Sequence, residues 1–263
     1  MKLFYVASLL LFISCNNAGK KADTSTSMTG AYTMLSQSVK NDKTDTTYTS
    51  LQQMKIYTDD FMMYANINTP DSISSFGIGS YSVSMDTVTE NVIYTASDST
   101  SDDTSPRYQL QIEKTAKGYK QVIPEIGSGE NKVKLTEEYS TTGTGVTSTL
   151  DGAWKQSNGY LVKGNDTTMR NPVQYKMYNS GYCIWGNTYK DSLNKTHTGI
   201  GFGKFAMDGG NKVKESMIAS TYSEVRGHDF TIDIEMNGAD EFKQTMNNDD
   251  GTKSVEVYKR MKK

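Results

Sequence analysis

The chain has 263 residues, of which 35% are hydrophobic and 10% aromatic, so it is polar overall but rich in rings. Its 28 Lys and Arg residues against 30 Asp and Glu residues leave a net charge of -2, which provides no basic field for nucleic acid. The two His and two Cys residues are too few for a multi-ligand zinc cluster or a disulfide-dense scaffold. We therefore expect no nucleic-acid partner, no metal and no other cofactor.

The N-terminus has the pattern of an export signal. Lys2 precedes an apolar run at residues 3–13, which is too short to span a bilayer but suits the hydrophobic region of a signal peptide. Ser14, a small residue, stands directly before Cys15. This arrangement resembles a bacterial lipoprotein signal, which implies that residues 1–14 are removed and that Cys15 is lipidated. The alternative is an ordinary secretory signal that is cleaved nearby.

The segment after Cys15 is polar and made of small residues. Residues 16–28 (NNAGKKADTSTSM) cannot bury enough apolar surface to offset the entropy of ordering them, so we expect a flexible tether over residues 15–28. A lipid anchor followed by a solvated tether predicts a protein held at a membrane rather than threaded through it. We expect it in the cell envelope, at the outer membrane or on the periplasmic face.

The rest of the chain contains a duplication. Residues 53–57 (QMKIY) are matched by residues 174–178 (QYKMY) at an offset of 121, and five further pairs of anchors follow the same order at offsets of 121 to 124. A collinear set of this kind indicates an internal repeat of one structural unit. A Ser-, Thr- and Gly-rich stretch separates the copies, so we expect two domains, at 29–140 and 150–263, joined by a linker at 141–149.

Both copies alternate apolar and polar residues with a period of two. Such alternation is typical of half-buried antiparallel strands, and Gly, Asn and Asp turn signals separate the runs. We predict about eight strands in each copy, which in the second lie near 152–157, 172–178, 181–189, 199–207, 211–220, 228–236, 240–246 and 252–261. An up-and-down barrel would remove the exposed edges of such a sheet, so the predicted fold is all-β, with two tandem antiparallel barrels. A two-sheet sandwich is the structural alternative.

A combination of motifs in the second copy suggests a family. The opening Gly152-Ala153-Trp154, the tight hairpins and the closing EVYKR at residues 256–260 resemble the lipocalin pattern. They are most similar to the lipocalin-like domains of unknown function in secreted lipoproteins of Bacteroidota. The resemblance covers both copies, and the second copy matches it better than the first.

The resemblance also implies how the barrels are closed. In a lipocalin-like barrel, Trp154 would pack across the closed end beneath a cation, which would be Arg260 or alternatively Lys259. A guanidinium over an indole face gains about 0.5–2 kcal/mol. The first copy has Tyr32 in place of the Trp and no Arg in its last strand, so we expect its closed end to be sealed differently.

No catalytic constellation stands out in the sequence. His197 lies in a polar loop, His228 precedes a strand, and no Gly-x-Ser-x-Gly nucleophile motif occurs. We therefore predict that the protein is not an enzyme. The alternative, a hydrolase, would need a deep pocket that brings one of these His side chains beside carboxylates.

The aromatic strands suggest a binding role. Barrels of this size hold one small ligand or are filled by their own side chains, and the sequence leaves both open. We hypothesise a lipid-anchored envelope protein that binds a small apolar or amphipathic ligand at a barrel mouth through Tyr178, Tyr182, Trp185 and Phe202. The alternative is a structural module with filled barrels whose partner is another envelope protein.

Overall fold

A computed structural model describes residues 27–67, 74–96, 107–170 and 172–263. The expected signal peptide, Cys15 and most of the expected tether lie outside these residues. The described residues form 18 β-strands, and a short 3-10 turn at Gly129–Asn131 is the only helical element among them. Within this part of the chain, no helix is long and apolar enough to cross a membrane.

The first barrel is a closed antiparallel sheet. Each strand pairs with its neighbours, and β1 also pairs with β9, so that eight strands form the closed ring. The short β2 pairs with residues 37–40 of β1. In chain order its strands are β1 (Gly30–Lys40), β2 (Asp45–Tyr48), β3 (Gln52–Tyr57), β4 (Phe61–Ile67), β5 (Ser75–Ser84), β6 (Thr87–Thr95), β7 (Arg107–Lys114), β8 (Gly118–Ile126) and β9 (Val133–Thr141).

The second barrel repeats this plan. Strand β10 pairs with β18 to close the ring, and the short β11 pairs with residues 160–163 of β10 as β2 pairs with β1. Its strands are β10 (Gly152–Lys163), β11 (Asp166–Met169), β12 (Val173–Asn179), β13 (Tyr182–Lys190), β14 (Thr196–Met207), β15 (Lys212–Ser220), β16 (Asp229–Asn237), β17 (Glu241–Asn247) and β18 (Lys253–Arg260). A break in register at the same point of both first strands, at Met34/Ser36 and Gln156/Asn158, bends each strand around its barrel.

The strand pairing confirms the prediction of two all-β barrels in tandem. Each of the eight strands predicted in the second copy has a counterpart, whereas β11 was not predicted and β10 runs on past residue 157 to Lys163. The second half of β10 pairs with β11 on one side and with β18 on the other. The sandwich alternative is excluded, because the first and last strands of each copy hydrogen-bond to one another.

The two barrels pack together through the outward faces of their early strands. Buried apolar side chains from β3, β4 and β5 form one cluster with those from β12, β13 and β14. Phe76 packs directly onto Gly186, where a Cβ atom would lie 2.5 Å from the ring. Tyr94 completes the contact, since its ring lies 5.2 Å from that of Tyr175 and its hydroxyl hydrogen-bonds to Thr188.

This contact buries both faces of β12. The alternation of Tyr175 and Met177 with Gln174 and Lys176 is typical of a half-buried strand with one polar face. In the structure Gln174 and Lys176 face the barrel interior, and Tyr175 and Met177 belong to the cluster between the barrels. All four side chains are buried, because the second barrel lies on one side of the strand and the first barrel on the other.

The closed end of the second barrel is covered by an aromatic ring and a cation. The guanidinium carbon of Arg260 lies 4.0 Å from the centre of the fully buried Trp154 ring. Trp154 Nε1 donates to the Leu150 carbonyl at 2.7 Å, and Arg260 Nη1 donates to the Asp151 carbonyl at 2.6 Å. Gly152 has a φ of +139°, and a Cβ there would meet Arg260 Nη1 at 2.1 Å, which accounts for the glycine of the opening motif.

The first barrel is covered at the same end without an arginine. Tyr32 occupies the position of Trp154 and makes an edge-on contact with Tyr119, with the ring centres 4.9 Å apart. Met28 is fully buried beside these rings, in the position that Leu150 holds in the second copy. Apolar side chains and tyrosine rings therefore replace the cation–ring stack.

Replacing Phe76 with Ala should test the contact between the barrels. The substitution removes a fully buried ring from the shared cluster, and we expect it to lower the free energy of unfolding by about 3–5 kcal/mol in urea denaturation. Ile218→Ala is the control, because Ile218 is 48% exposed and should cost far less. Equal losses for the two variants would contradict the buried contact.

Candidate functional site

A lysine lies at the centre of the second barrel. Lys176 is 4% exposed, and its Nζ lies 3.2 Å from Glu215 Oε1 and 3.0 Å from Gln244 Oε1. Tyr178 donates to the same Glu215 oxygen at 2.6 Å. Burial, reinforced by the Glu215 charge, raises the pKa of the Tyr178 hydroxyl well above its ordinary value, so this group remains a donor.

A second carboxylate continues these hydrogen bonds towards the open end. Glu256 Oε2 accepts from Gln244 Nε2 at 2.7 Å, from Tyr258 at 2.6 Å and from Gln174 Nε2 at 3.2 Å. Gln244 links the two parts, because its oxygen accepts from Lys176 while its nitrogen donates to Glu256. We call this set of side chains the central network.

The first barrel contains the same network at equivalent positions. Its lysine, Lys55, lies 3.0 Å from Glu90 and 3.2 Å from Gln121, and Gln121 donates in turn to Glu137. The equivalent pairs in the two barrels are Gln53 and Gln174, Lys55 and Lys176, Tyr57 and Tyr178, Glu90 and Glu215, Gln121 and Gln244, Glu137 and Glu256, and Tyr139 and Tyr258.

The networks differ in how their outer carboxylate is covered. In the first barrel Gln37 Nε2 donates to Glu137 Oε1 at 2.9 Å, so both oxygens of this carboxylate have donors. The residue that faces Glu256 across β10 and β18 is Gly159, just as Gln37 faces Glu137 across β1 and β9. Glu256 therefore lacks the side chain that covers its counterpart.

An inner cavity of about 190 Å³ lies above the central network of the second barrel. Its floor is polar and includes Lys176, Glu215 and Glu256. The rest of its wall is largely apolar and is formed by Trp185, Met217, Tyr222, Val225, Phe230, Ile232 and Met246. An apolar wall with a few polar groups at one end is typical of a small-molecule site.

A wider mouth cavity of about 620 Å³ adjoins the inner one. The two share Gln174, Asn187, Tyr222 and Glu256, so Glu256 stands where they meet. The mouth cavity is otherwise lined by polar, aromatic and basic residues, namely Gln156, Gly159, Tyr160, Arg170, Tyr189 and Lys190 among others.

Two aromatic rings form one wall of the inner cavity. Trp185 and Tyr222 are stacked, with ring centres 5.9 Å apart and planes at 18°. Burial raises the pKa of Tyr222 to about 12. Tyr64 occupies the position of Trp185 in the first barrel, so the indole is particular to the second.

The four residues expected to contact a ligand lie in three different places. Trp185 lines the inner cavity, and Tyr178 lies below it in the central network. Tyr182 and Phe202 point out of the barrel and pack against the first barrel. The prediction that these two residues lie at the barrel mouth is wrong, because both side chains lie on the outer face of their strands. The glycine at 159 and the carboxylate at 256 were not among the expected residues.

The two histidines lie at the periphery of the second barrel. His197 Nε2 is 2.7 Å from Asp191 Oδ2, and its ring stacks on Tyr189 at the mouth. The hydrogen bond from His197 lowers the pKa of Asp191. His228 is exposed on the loop before β16. Among the described residues, no group of three or more His, Cys, Asp and Glu side chains could hold a metal ion.

Two solved structures match this chain at low sequence identity. The chain itself forms two closed antiparallel barrels of eight strands in tandem. A lipocalin-like protein from Bacteroides uniformis matches 43% of this chain over 100% of its own length, with 12% identity and a TM-score of 0.30. A protein of unknown function from the DUF3598 family of Nostoc punctiforme matches 89% of this chain over 96% of its own length, with 10% identity and a TM-score of 0.26. No protein-family model and no curated protein matches the chain.

Replacing Lys176 with Met should show that the buried ammonium holds the network together. The substitution leaves Glu215, which is 5% exposed on its side chain, without its cation, so we expect a loss of about 3–5 kcal/mol in unfolding free energy. Urea denaturation measures it. The double variant K176M/E215L should recover part of the loss, because it removes both charges, and no recovery would contradict the pairing.

Proposed function

We propose that the second barrel binds one small amphipathic molecule. Its apolar part would occupy the inner cavity beside Trp185, and its polar part would lie where the two cavities meet. The observation that carries the proposal is the inner cavity of about 190 Å³, whose wall is mostly apolar and which adjoins the open mouth. An apolar cavity of this size favours an apolar group over water.

The polar end of the site also supports this proposal. Gln174 and Glu256 line both cavities, and their positions are held by hydrogen bonds within the central network. Polar groups that are fixed before a ligand arrives lower the entropy lost on binding. The rigid floor would therefore orient the ligand, while the apolar wall supplies most of the binding free energy.

For the first barrel we propose a structural role. Gln37 covers Glu137 there, and Tyr64 stands in place of Trp185. Its outer face meets the outer face of the second barrel in the shared apolar cluster. The alternative of a filled module, considered from the sequence for the whole protein, is thus favoured for this copy.

We further propose that the chain is exported and anchored in the cell envelope through lipid on Cys15. The support is the apolar run at residues 3–13 followed by Ser14 and Cys15. An anchored ligand-binding protein would hold its ligand close to the membrane. This placement suits an amphipathic molecule, which partitions between membrane and water.

Fluorescence of Trp185 can test the binding site. The chain has two Trp residues, so the variant W154F leaves Trp185 as its single indole. We expect titration with 1-octanol to give a saturable change in the emission of W154F, because the octyl chain would displace water beside the indole. Adding Val225→Phe, which narrows the inner cavity, should weaken the response at least about tenfold. An unchanged emission, or an equal response with Phe at 225, would contradict binding in this cavity.

Lipidation can be tested on the cysteines. In a bacterial host labelled with palmitate, we expect the wild-type chain to carry label and to sediment with membranes. Cys15→Ser should lose both properties, whereas Cys183→Ser should keep them, because Cys183 is buried inside the second barrel. A labelled, membrane-bound C15S chain would refute the proposed anchor.

A further inference from the structure

We propose that the ligand of the second barrel carries a positively charged head group, such as a primary ammonium, and that Glu256 binds it. This inference rests on the proposed function of the second barrel. It is carried by the position of Glu256 between the two cavities, by the lack of the cover that its counterpart has, and by the charges of the central network.

The first step is the supply of hydrogen-bond acceptors. The three hydrogen bonds that Glu256 receives from described residues all reach Oε2 and none reaches Oε1, while the residue lines both cavities. Gln156, which is 9% exposed, lines the mouth cavity beside it, and its Oε1 atom is buried without a partner among the described residues. Because buried acceptors normally have donors, the head group that fits here donates hydrogen bonds.

The second step is the comparison of the two barrels. In the first, the Gln37 amide supplies the donor that Glu137 Oε1 requires, and Glu137 is 5% exposed. In the second, Gly159 stands opposite Glu256 and has no side chain to donate. Gln156 likewise replaces Met34, which is apolar and buried in the first barrel. The first change removes the donor to the carboxylate, and the second adds an amide whose Nε2 donates to the Arg170 carbonyl at 3.4 Å while its Oε1 has no donor among the described residues.

The third step is charge. The central network of the second barrel holds one ammonium, on Lys176, and two carboxylates, on Glu215 and Glu256. Lys176 lies 3.2 Å from Glu215, and among the described residues no cation forms an ion pair with Glu256. A partly buried carboxylate is stabilised by a cation in contact, and a cationic head group would supply one. Arg170 and Lys190 are exposed on the mouth, where water and salt screen their repulsion.

Three probes that share an octyl chain separate charge from apolar binding. We expect calorimetric titration of the wild-type chain at neutral pH to show octylammonium binding about tenfold more tightly than 1-octanol, with octanoate weakest. Added NaCl should weaken the binding of octylammonium and leave that of 1-octanol nearly unchanged. These measurements need no variant, so they decide the question even if a substitution impairs folding.

A matched pair of variants then assigns the charge to one residue. Glu256→Gln should reduce the preference for octylammonium over 1-octanol to about twofold or less, because the amide keeps the shape but removes the charge. Glu137→Gln, the same change at the covered position of the first barrel, should leave all three affinities as in wild type. Circular dichroism would confirm that both variants are folded.

The outcomes distinguish this inference from the proposal on which it rests. If none of the three probes binds, both the proposed function and the cationic head group are overturned. If 1-octanol binds in the inner cavity but octylammonium binds no better, or octanoate binds best, the cationic head group alone is overturned. A folded E256Q variant that keeps the full preference would remove Glu256 from the site.

Discussion

Each barrel is organised around an ammonium group that is buried near its centre. Lys55 lies 3.0 Å from Glu90 in the first barrel, and Lys176 lies 3.2 Å from Glu215 in the second. Removing such charges from water is costly, and the cost is offset only where the pair is close and further hydrogen bonds satisfy the remaining atoms. The glutamine amides and tyrosine hydroxyls of the central network meet that requirement. Lys176 on β12, Glu215 on β15 and Gln244 on β17 come from strands that are not neighbours in the sheet, so the network connects opposite walls of the barrel.

The strands that carry these polar side chains inside the barrels carry apolar side chains on their outer faces. Because side chains alternate across a strand, polar groups inside β3 and β12 place apolar groups outside them. A single barrel would expose this apolar face to water, and the second copy covers it. The duplication thus has a physical basis, since each barrel covers the apolar outer face of the other and keeps it from water.

The candidate site results from small departures between two otherwise equivalent interiors. Glycine replaces the amide at 159, glutamine replaces the thioether at 156, and an indole replaces a phenol at 185. None of these changes replaces a member of the Lys176–Glu215 pair, so the pair is kept in both barrels while the open side of the second one differs. The buried ion pair stabilises the barrel, and the candidate site lies above it, where the two copies differ.

The sequence by itself determined the duplication and the strands, and it favoured closed barrels over a two-sheet sandwich. The strands follow from alternation and turn residues, which operate over a few neighbouring residues, and the duplication follows from the collinear anchors. The short hairpin of β11 escaped prediction because its residues are exposed on both faces and carry no alternating apolar signal.

Only the tertiary structure decided which face of each strand is inside. Alternation shows that Trp185 and Tyr182 lie on opposite faces, but both faces of β13 are buried, so burial pattern alone cannot say which one lines the cavity. The contact of Gly159 with Glu256 likewise depends on the pairing of β10 with β18, which are separated by most of the second copy. The repeated Glu-x-Tyr at residues 137–139 and 256–258 was a usable signal for the network. Its meaning required the closed ring, because long-range pairing and the packing of one barrel on the other are not encoded in any local pattern.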